Sequence, residues 1–557
     1  MSRLPWDMSR EVVLVTGGKS ALGFARAIAC ALPLFLLSLA AAQPAAARPC
    51  GQITPCTPIT LEGPIPNPLP GDPAATADNP VADNVRVEKI PQSYAQEEFF
   101  FAGNVNVFDY DQQPGQRGAF PGERLVAVQS NVLYKTRMVV LRPTEAKRFN
   151  GTVVVEFMNS TGGRDNAVMW TVSALPFARE GTVYIGVTTS GNQSMAYLLG
   201  GCGGPSAPCG TRYSSNGLVI SNNGQEYEIV SQLVTALKSR DPNQIPLPRS
   251  FPHIKRVLVT GESQQGGSAL TYATQFHFPA VDGHLVLSAS SARALRSGLP
   301  TCGTTGAPAY PGCVAVPTDQ RIRTDLPVPV YHVLAETDVQ SAAQIATRQN
   351  DTDISRFASY RLIEIAGGAH NTDSSQPVPG TSFTLADFCV NPSNTLVSGP
   401  IFGKDVINAY WQNMRLQIDF GVRPPSVKRI TKDAAGVTLR DALGNPLGGA
   451  RLPEMDVPTH VYFAPFNMGK PVCAAGQDPG SPPVCIPQPF ALIGLACALS
   501  GSYRPLAPAV IEELYPTHGT YVHKISDKAL ERFFGRTLLW EDAVEHIRDA
   551  AASEVGK

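Results

Sequence analysis

The sequence predicts an α/β fold: a mainly parallel sheet flanked by helices, followed by a loop-rich and helical C-terminal extension. Three observations carry that prediction. Short, continuous apolar runs recur between residues 151 and 366, among them "GTVVVEFMN", "GTVYIGVTTS", "RVLVTG", "VDGHLVLSAS", "LPVPVYHVLAE" and "SYRLIEIAGG". Runs that are apolar throughout, rather than alternating, belong to strands covered on both faces. Helix-forming stretches such as "EYEIVSQLVTALKS" and "SALTYATQF" separate several of them, which is the pattern of a parallel sheet with crossover helices. With 557 residues, 43% apolar and 16% charged, the chain can bury a large core and is not a disordered one.

Read in order, the chain opens on an address. The segment "ARAIACALPLFLLSLAAAQPAAARPC" has basic Arg26, an apolar stretch and small residues at Ala40-Ala41-Ala42 and Ala45-Ala46-Ala47. This is the anatomy of a secretory signal peptide over residues 1–42, with a second cleavage position at 47, and the apolar stretch is short for a membrane span. The long n-region makes Met8 an alternative start to Met1. An earlier segment, "EVVLVTGGKSALGFARAIA", imitates a dinucleotide-binding turn with Gly17, Gly18 and Gly23. A real one would continue into a second strand with an acidic residue about 20 residues on, and a signal core follows instead.

Residues 50–84 read as a Pro-rich arm pinned by a disulfide, and 85–425 as the catalytic domain. The latter opens on alternating segments such as "LVAVQSNVLYKTRMVVLRP", antiparallel strands at a sheet edge. It closes on the helix "DVINAYWQNMRLQIDFG", with Val406, Tyr410, Trp411, Met414 and Ile418 roughly on one face. Residues 426–557 form the extension, either a lid or a segment packed on the catalytic domain.

Ten of the 11 cysteines lie beyond the signal, since Cys30 falls within it. Cys50 and Cys56, Cys202 and Cys209, Cys302 and Cys313, and Cys473 and Cys485 are close neighbours, leaving Cys389 and Cys497 as a long-range pair. Disulfides in an oxidising compartment are the reading, with free buried thiols the alternative. Spacing alone does not fix connectivity. The formal net charge of −1 provides no field for nucleic acid or an anionic membrane, and no later segment reaches 18 uninterrupted apolar residues. No C-x-x-C or H-E-x-x-H occurs, so neither metal nor cofactor is expected.

The chemistry concentrates in "RVLVTGESQQGGSALTYA", where a strand runs into a glycine-rich turn bearing Ser263. A serine nucleophile needs a base, an acid to orient the base, and donors for an oxyanion. In α/β-hydrolases these come in the order Ser, Asp or Glu, His, each after a strand. Here "PVYHVLAETD" delivers Asp338 and "RLIEIAGGAHNT" delivers His370. Glu336, Asp351 and Asp353 rival Asp338, which stands at the strand exit. The usual elbow reads G-x-S-x-G; Gln265 occupies the second glycine position, with Gly266 and Gly267 next to it. Oxyanion donors are expected from the backbone N–H of Gln264 and from Asn159 or Ser160 in "VVVEFMNSTGGRDN". His253, His277, His284 and His332 read as structural residues in or beside core elements. His518 and His523 could pair on a metal but lack an accompanying carboxylate cluster.

The stretches "TGESQQGG", "VLAETD", "EIAGGAH", "INAYWQNMRLQIDFGVRPP", "GNPLGGARLPEMDVPTHVYF" and "LYPTHGTYVHKI…LLWEDA" resemble a bacterial α/β-hydrolase domain family with a G-E-S-Q-S type elbow. The resemblance runs from about residue 85 to the end and implies carboxylic ester hydrolysis, with no family-wide substrate to carry over. The expectation is a secreted or periplasmic serine hydrolase with a Ser263–Asp338–His370 triad, acting on a small or polymeric ester without a cofactor. An extracellular polyester depolymerase is the alternative enzyme, and a non-catalytic hydrolase-fold binding protein the alternative of another class. Acyl length and oligomeric state are not encoded in these motifs.

Overall fold

The computed structural model describes residues 49–51, 55–66, 91–110, 125–161, 163–201, 211–276, 278–289, 295, 322–340, 348–370, 389–390, 396–397, 403–463, 468–469, 497 and 499–557. The signal segment, its glycine turn and the pairs Cys202/Cys209, Cys302/Cys313 and Cys473/Cys485 lie outside the described residues, as does His277.

One sheet organises the molecule. Its strands are β1 (Thr60–Glu62), β2 (Tyr94–Tyr110), β3 (Leu125–Pro143), β4 (Thr152–Phe157), β5 (Val183–Val187), β6 (Arg256–Glu262), β7 (Gly283–Leu287), β8 (Val330–Ala335), β9 (Thr352–Asp353) and β10 (Ser359–Ile365). Their spatial order is β1-β2-β3-β5-β4-β6-β7-β8-β10-β9. From β5 to β10 every neighbouring pair is parallel, whereas β1, β2 and β3 are antiparallel and β9 runs antiparallel to β10. The run "LVAVQSNVLYKTRMVVLRP" is one 19-residue strand, paired with β2 along its length, and not several short ones.

The parallel strands read as apolar because both their faces are covered. Every residue of β4, β5, β7, β8 and β10 is buried. One face carries α2 (Glu226–Lys238) and α3 (Ser263–Thr271), whose Tyr227, Val230, Leu233 and Leu270 join Val153, Val155 and Val259 in one core. The other carries α1 (Val168–Glu180) and α4 (Lys404–Phe420), where Trp170, Phe177, Tyr410, Trp411 and Met414 pack with Val154, Leu258 and Leu285. Burying these side chains is the main stabilising term, at roughly 1.5–3 kcal/mol for each large apolar residue.

The extension packs against this body. Ala450 joins the end of β10 as a parallel bridge, accepting from Ala366 at 2.9 Å and donating to Glu364 at 2.6 Å. The helices α5 (His518–Phe534) and α6 (Trp540–Ala552) pack on each other. Arg532 of α5 pairs with Asp456, and Asn413 of α4 donates to the carbonyl of Arg536 at 2.7 Å. Disulfides join Cys50 to Cys56 and Cys389 to Cys497. Among the described residues, no helix is long and apolar enough to cross a membrane.

Candidate active site

The parallel strands end on the same side of the sheet, and the sequence-predicted residues gather there. β6 runs straight into α3, and Ser263 at the junction has φ +53°, in the left-handed region that side chains avoid. Non-glycine residues held there store strain that the surroundings must enforce. Close packing enforces it. A Cβ on Gly261 would come within 2.4 Å of the Gln265 carbonyl oxygen, and one on Gly266 within 2.3 Å of the Leu287 carbonyl oxygen. The requirement for small residues therefore falls on Gly261 and Gly266, one position later than the usual elbow. Gln265 is accommodated because its buried amide donates to Thr189 Oγ1 at 2.8 Å and to Glu226 at 3.2 Å.

His370 connects serine to acid. Its Nε2 lies 2.7 Å from Ser263 Oγ and its Nδ1 2.5 Å from Asp338 Oδ1. The other Asp338 oxygen accepts the N–H of Ala335 at 2.8 Å, which fixes the carboxylate at the strand exit. The rivals are engaged elsewhere: Asp351 with Arg429 at 2.6 Å, Asp353 with Arg361 at 2.5 Å, and Glu336 with Arg440 at 2.8 Å. Glu336 nevertheless serves the site, because its second oxygen accepts the Gly367 N–H at 2.9 Å, within the loop that carries His370. Met455 packs beneath the same loop, so close to Gly367 that a Cβ there would lie 2.3 Å from its methyl carbon.

At the expected oxyanion loop the two candidates separate. The N–H of Asn159 donates to the Asn166 carbonyl at 3.1 Å and is engaged there. Ser160 Oγ lies 2.8 Å from both the Gln193 and Gln264 side-chain oxygens, and Gln264 Nε2 donates to Gln193 at 2.7 Å. Gln193, in the turn after β5, has no distinguishing local motif, so sequence reasoning passes over it.

Beside Ser263, the buried groups His370 and Glu262 are strongly perturbed. Burial alone would lower His370, but the charge and hydrogen bond of Asp338, with Glu262 adding, outweigh it and carry the imidazole up to about 9. Burial pushes Glu262 up to about 7, helped by Asp338 and opposed by His370 and the Asn159 hydrogen bond. Of the remaining histidines, His284 and His332 are buried within β7 and β8, and burial pulls His332 down to about 4. His253 is exposed on a loop instead of lying against the core. His518 is held by the carbonyls of Val555 and Ala551, and exposed His523 faces Asp527 at 3.4 Å, so the two do not form a pair. Among the described residues, no group of three or more His, Cys, Asp or Glu is arranged to hold a metal ion.

A family model described as alpha/beta hydrolase domain matches residues 61–548. No curated protein sequence was found to match. Among solved structures, the chain is similar to acetyl xylan esterase 1 from Thermoanaerobacterium sp. JW/SL YS485 at 11% identity, covering 54% of this chain and 84% of that one, with a TM-score of 0.26. It is similar to Est1E from Butyrivibrio proteoclasticus, in a structure with ferulic acid bound, at 14% identity, 42% and 88% coverage and a TM-score of 0.25. A CE15 glucuronoyl esterase from Teredinibacter turnerae T7901 matches at 12% identity, 52% and 77% coverage and a TM-score of 0.24.

Proposed function

The chain belongs to the alpha/beta hydrolase domain family, and from that premise we propose that it is a secreted serine hydrolase cleaving carboxylic esters through an acyl-enzyme. The observation that carries the reading is the continuous hydrogen-bonded line Ser263–His370–Asp338, at 2.7 and 2.5 Å, with the serine on a strained strand-to-helix turn. As Ser263 Oγ bonds to the ester carbon, His370 Nε2 takes its proton, and the carbonyl π electrons move onto the oxygen. That oxyanion rests on the N–H groups of Gln264 and Ser160. Its collapse breaks the bond to the alcohol oxygen, which leaves with the proton from His370. Water then attacks the acyl-enzyme with His370 again as base, releasing the acid and restoring Ser263. Asp338 holds the imidazole tautomer and stabilises its charged form.

Export is supported by the signal-like N-terminus and by the Cys50–Cys56 and Cys389–Cys497 bridges, since disulfides persist in oxidising compartments. For residues 426–557 we favour a packing extension over a lid, because Arg440 and Ala450 bond to the catalytic body at the base of the His370 loop. The test is labelling with a fluorophosphonate followed by peptide mapping, alongside hydrolysis of a panel of p-nitrophenyl esters of increasing acyl length. Modification of Ser263 with ester turnover is the expected result. Labelling of another serine, or no turnover of any ester, overturns the assignment.

A further inference from the structure

Glu262 stands immediately before the candidate nucleophile, and the mechanism above does not use it. Its side chain is 10% exposed, an unusual place for a carboxyl group at the end of a buried strand. One oxygen, Oε2, accepts from Asn159 Nδ2 at 2.8 Å, and the same amide also donates to the Glu262 carbonyl at 3.1 Å. This clamp leaves the other oxygen, Oε1, 3.4 Å from His370 Nε2. The imidazole therefore has a carboxyl group on each side: Asp338 at Nδ1, and Glu262 beside the nitrogen that also faces Ser263.

The surroundings of Glu262 make that proximity count. It borders a cavity with about 20 Å³ of room, enough for one water. Val168, Leu287, Val333, Ile365 and Ile407 form much of the apolar wall. A charge facing such a wall is poorly solvated, so its interaction with a neighbouring imidazolium is little screened. The charged and titratable groups that face or sense it are His370, Asp338 and, behind it on β4, Glu156.

We infer that Glu262 is a positioning residue that holds the Nε2 side of His370 and sets the pH range in which the imidazole serves as base. This rests on the ester-hydrolase reading above. When His370 takes the Ser263 proton, the new charge arises between two carboxyl groups, and the nearer edge of Glu262 favours its formation. The same preference operates in the resting protein, so His370 gives up its proton at a higher pH than Asp338 alone would require.

The test is Glu262→Gln, which keeps the shape and the Asn159 contact but removes the charge. In this variant the imidazole titration of His370, followed by NMR, should move down by about one pH unit, as expected for loss of one nearby charge. The acid limb of the pH–kcat profile should move with it. At the plateau kcat should fall about tenfold with KM within about twofold, the pattern of an interaction made in the transition state. Should this variant not fold, Glu262→Asp draws the carboxyl group back by one methylene and should shift both profiles the same way by less. An unmoved His370 titration, or a moved titration with an unmoved rate profile, overturns the inference. Because the NMR titration needs no substrate, its outcome is separate from whether any ester is cleaved, which the serine labelling decides.

Discussion

His370 and His546 are each bracketed by two carboxyl groups. At His370, Asp338 lies 2.5 Å from Nδ1 and Glu262 3.4 Å from Nε2. At His546 on α6, Glu454 lies 2.6 Å from Nδ1 and Asp405 of α4 lies 3.3 Å from Nε2. In both, burial is outweighed by the acidic partners: His370 rises to about 9 and His546 to about 10. What differs is the third neighbour. His370 also meets a serine hydroxyl at the end of a parallel strand, on a turn strained to present it. His546 bridges helix α4 to the short helix Pro453–Asp456 within the packed extension. A carboxylate-flanked imidazole is thus not by itself a catalytic device. Placed at the strand ends beside a hydroxyl it becomes a candidate base, and placed between helices it becomes a charged tie.

The sharpest way to break this comparison is to remove each partner in turn. Ser263→Ala and His370→Ala should each lower kcat/KM by at least ~10³-fold, and by up to ~10⁶-fold if the groups act as one unit. Circular dichroism should match the parent in both, and the melting temperature of Ser263→Ala should stay near the parent's. His546→Ala should do the reverse, lowering the melting temperature while turnover per folded molecule stays within about twofold. Equal loss of activity for the two histidine variants at unchanged stability would erase the distinction.

Next in size is the acid. Asp338→Asn should cost about 10²–10⁴-fold in kcat, less than the serine change, because the acid orients and stabilises but does not bond to substrate. Asp351→Asn should lower stability by releasing Arg429 and leave the rate of the folded protein nearly intact. A crippling Asp351→Asn beside a harmless Asp338→Asn would reverse the assignment.

A smaller effect separates the histidines by pH. If His370 is the base proposed above it acts only when neutral, so the rate should rise with pH through a midpoint above the ordinary imidazole value of about 6.5, toward about 9. A midpoint at 6.5 would remove the acidic partners from the argument. His546 leaves its mark on stability alone. Its folded-state value is raised above the unfolded one, so its contribution is fully present below about pH 6.5 and is lost as pH rises through about 10. The melting-temperature gap between parent and His546→Gln should therefore narrow over that interval; a gap constant with pH would contradict the tie.

The meeting of Ser263, Asp338 and His370 is legible because each follows a short, continuous apolar run of the kind a buried strand makes, and the runs end in the expected order. The chain order also made the parallel sheet readable. Helix α1 has no clean one-sided stripe to mark it in the sequence: Met169, Trp170, Val172, Ala174, Phe177 and Ala178 are all buried, and Pro176 lies within it. The bridge that engages Asn159 with Asn166 is not revealed by spacing. Glu262 was in view within the elbow, yet the direction of its carboxyl group is set by Asn159, 103 residues away in the chain.

Arg440 reaching Glu336 has a consequence for timing. Glu336 is fully buried, with Arg440 on one oxygen and the histidine loop on the other. A polypeptide halted at residue 425 would contain Ser263, Asp338 and His370, but Glu336 would lack its guanidinium partner and Gly367 would lack the support of Met455. The arrangement of Ser263, Asp338 and His370 should therefore form only once the chain through Met455 has been made and has docked, so that a shorter polypeptide carries these residues in its sequence without holding them in place.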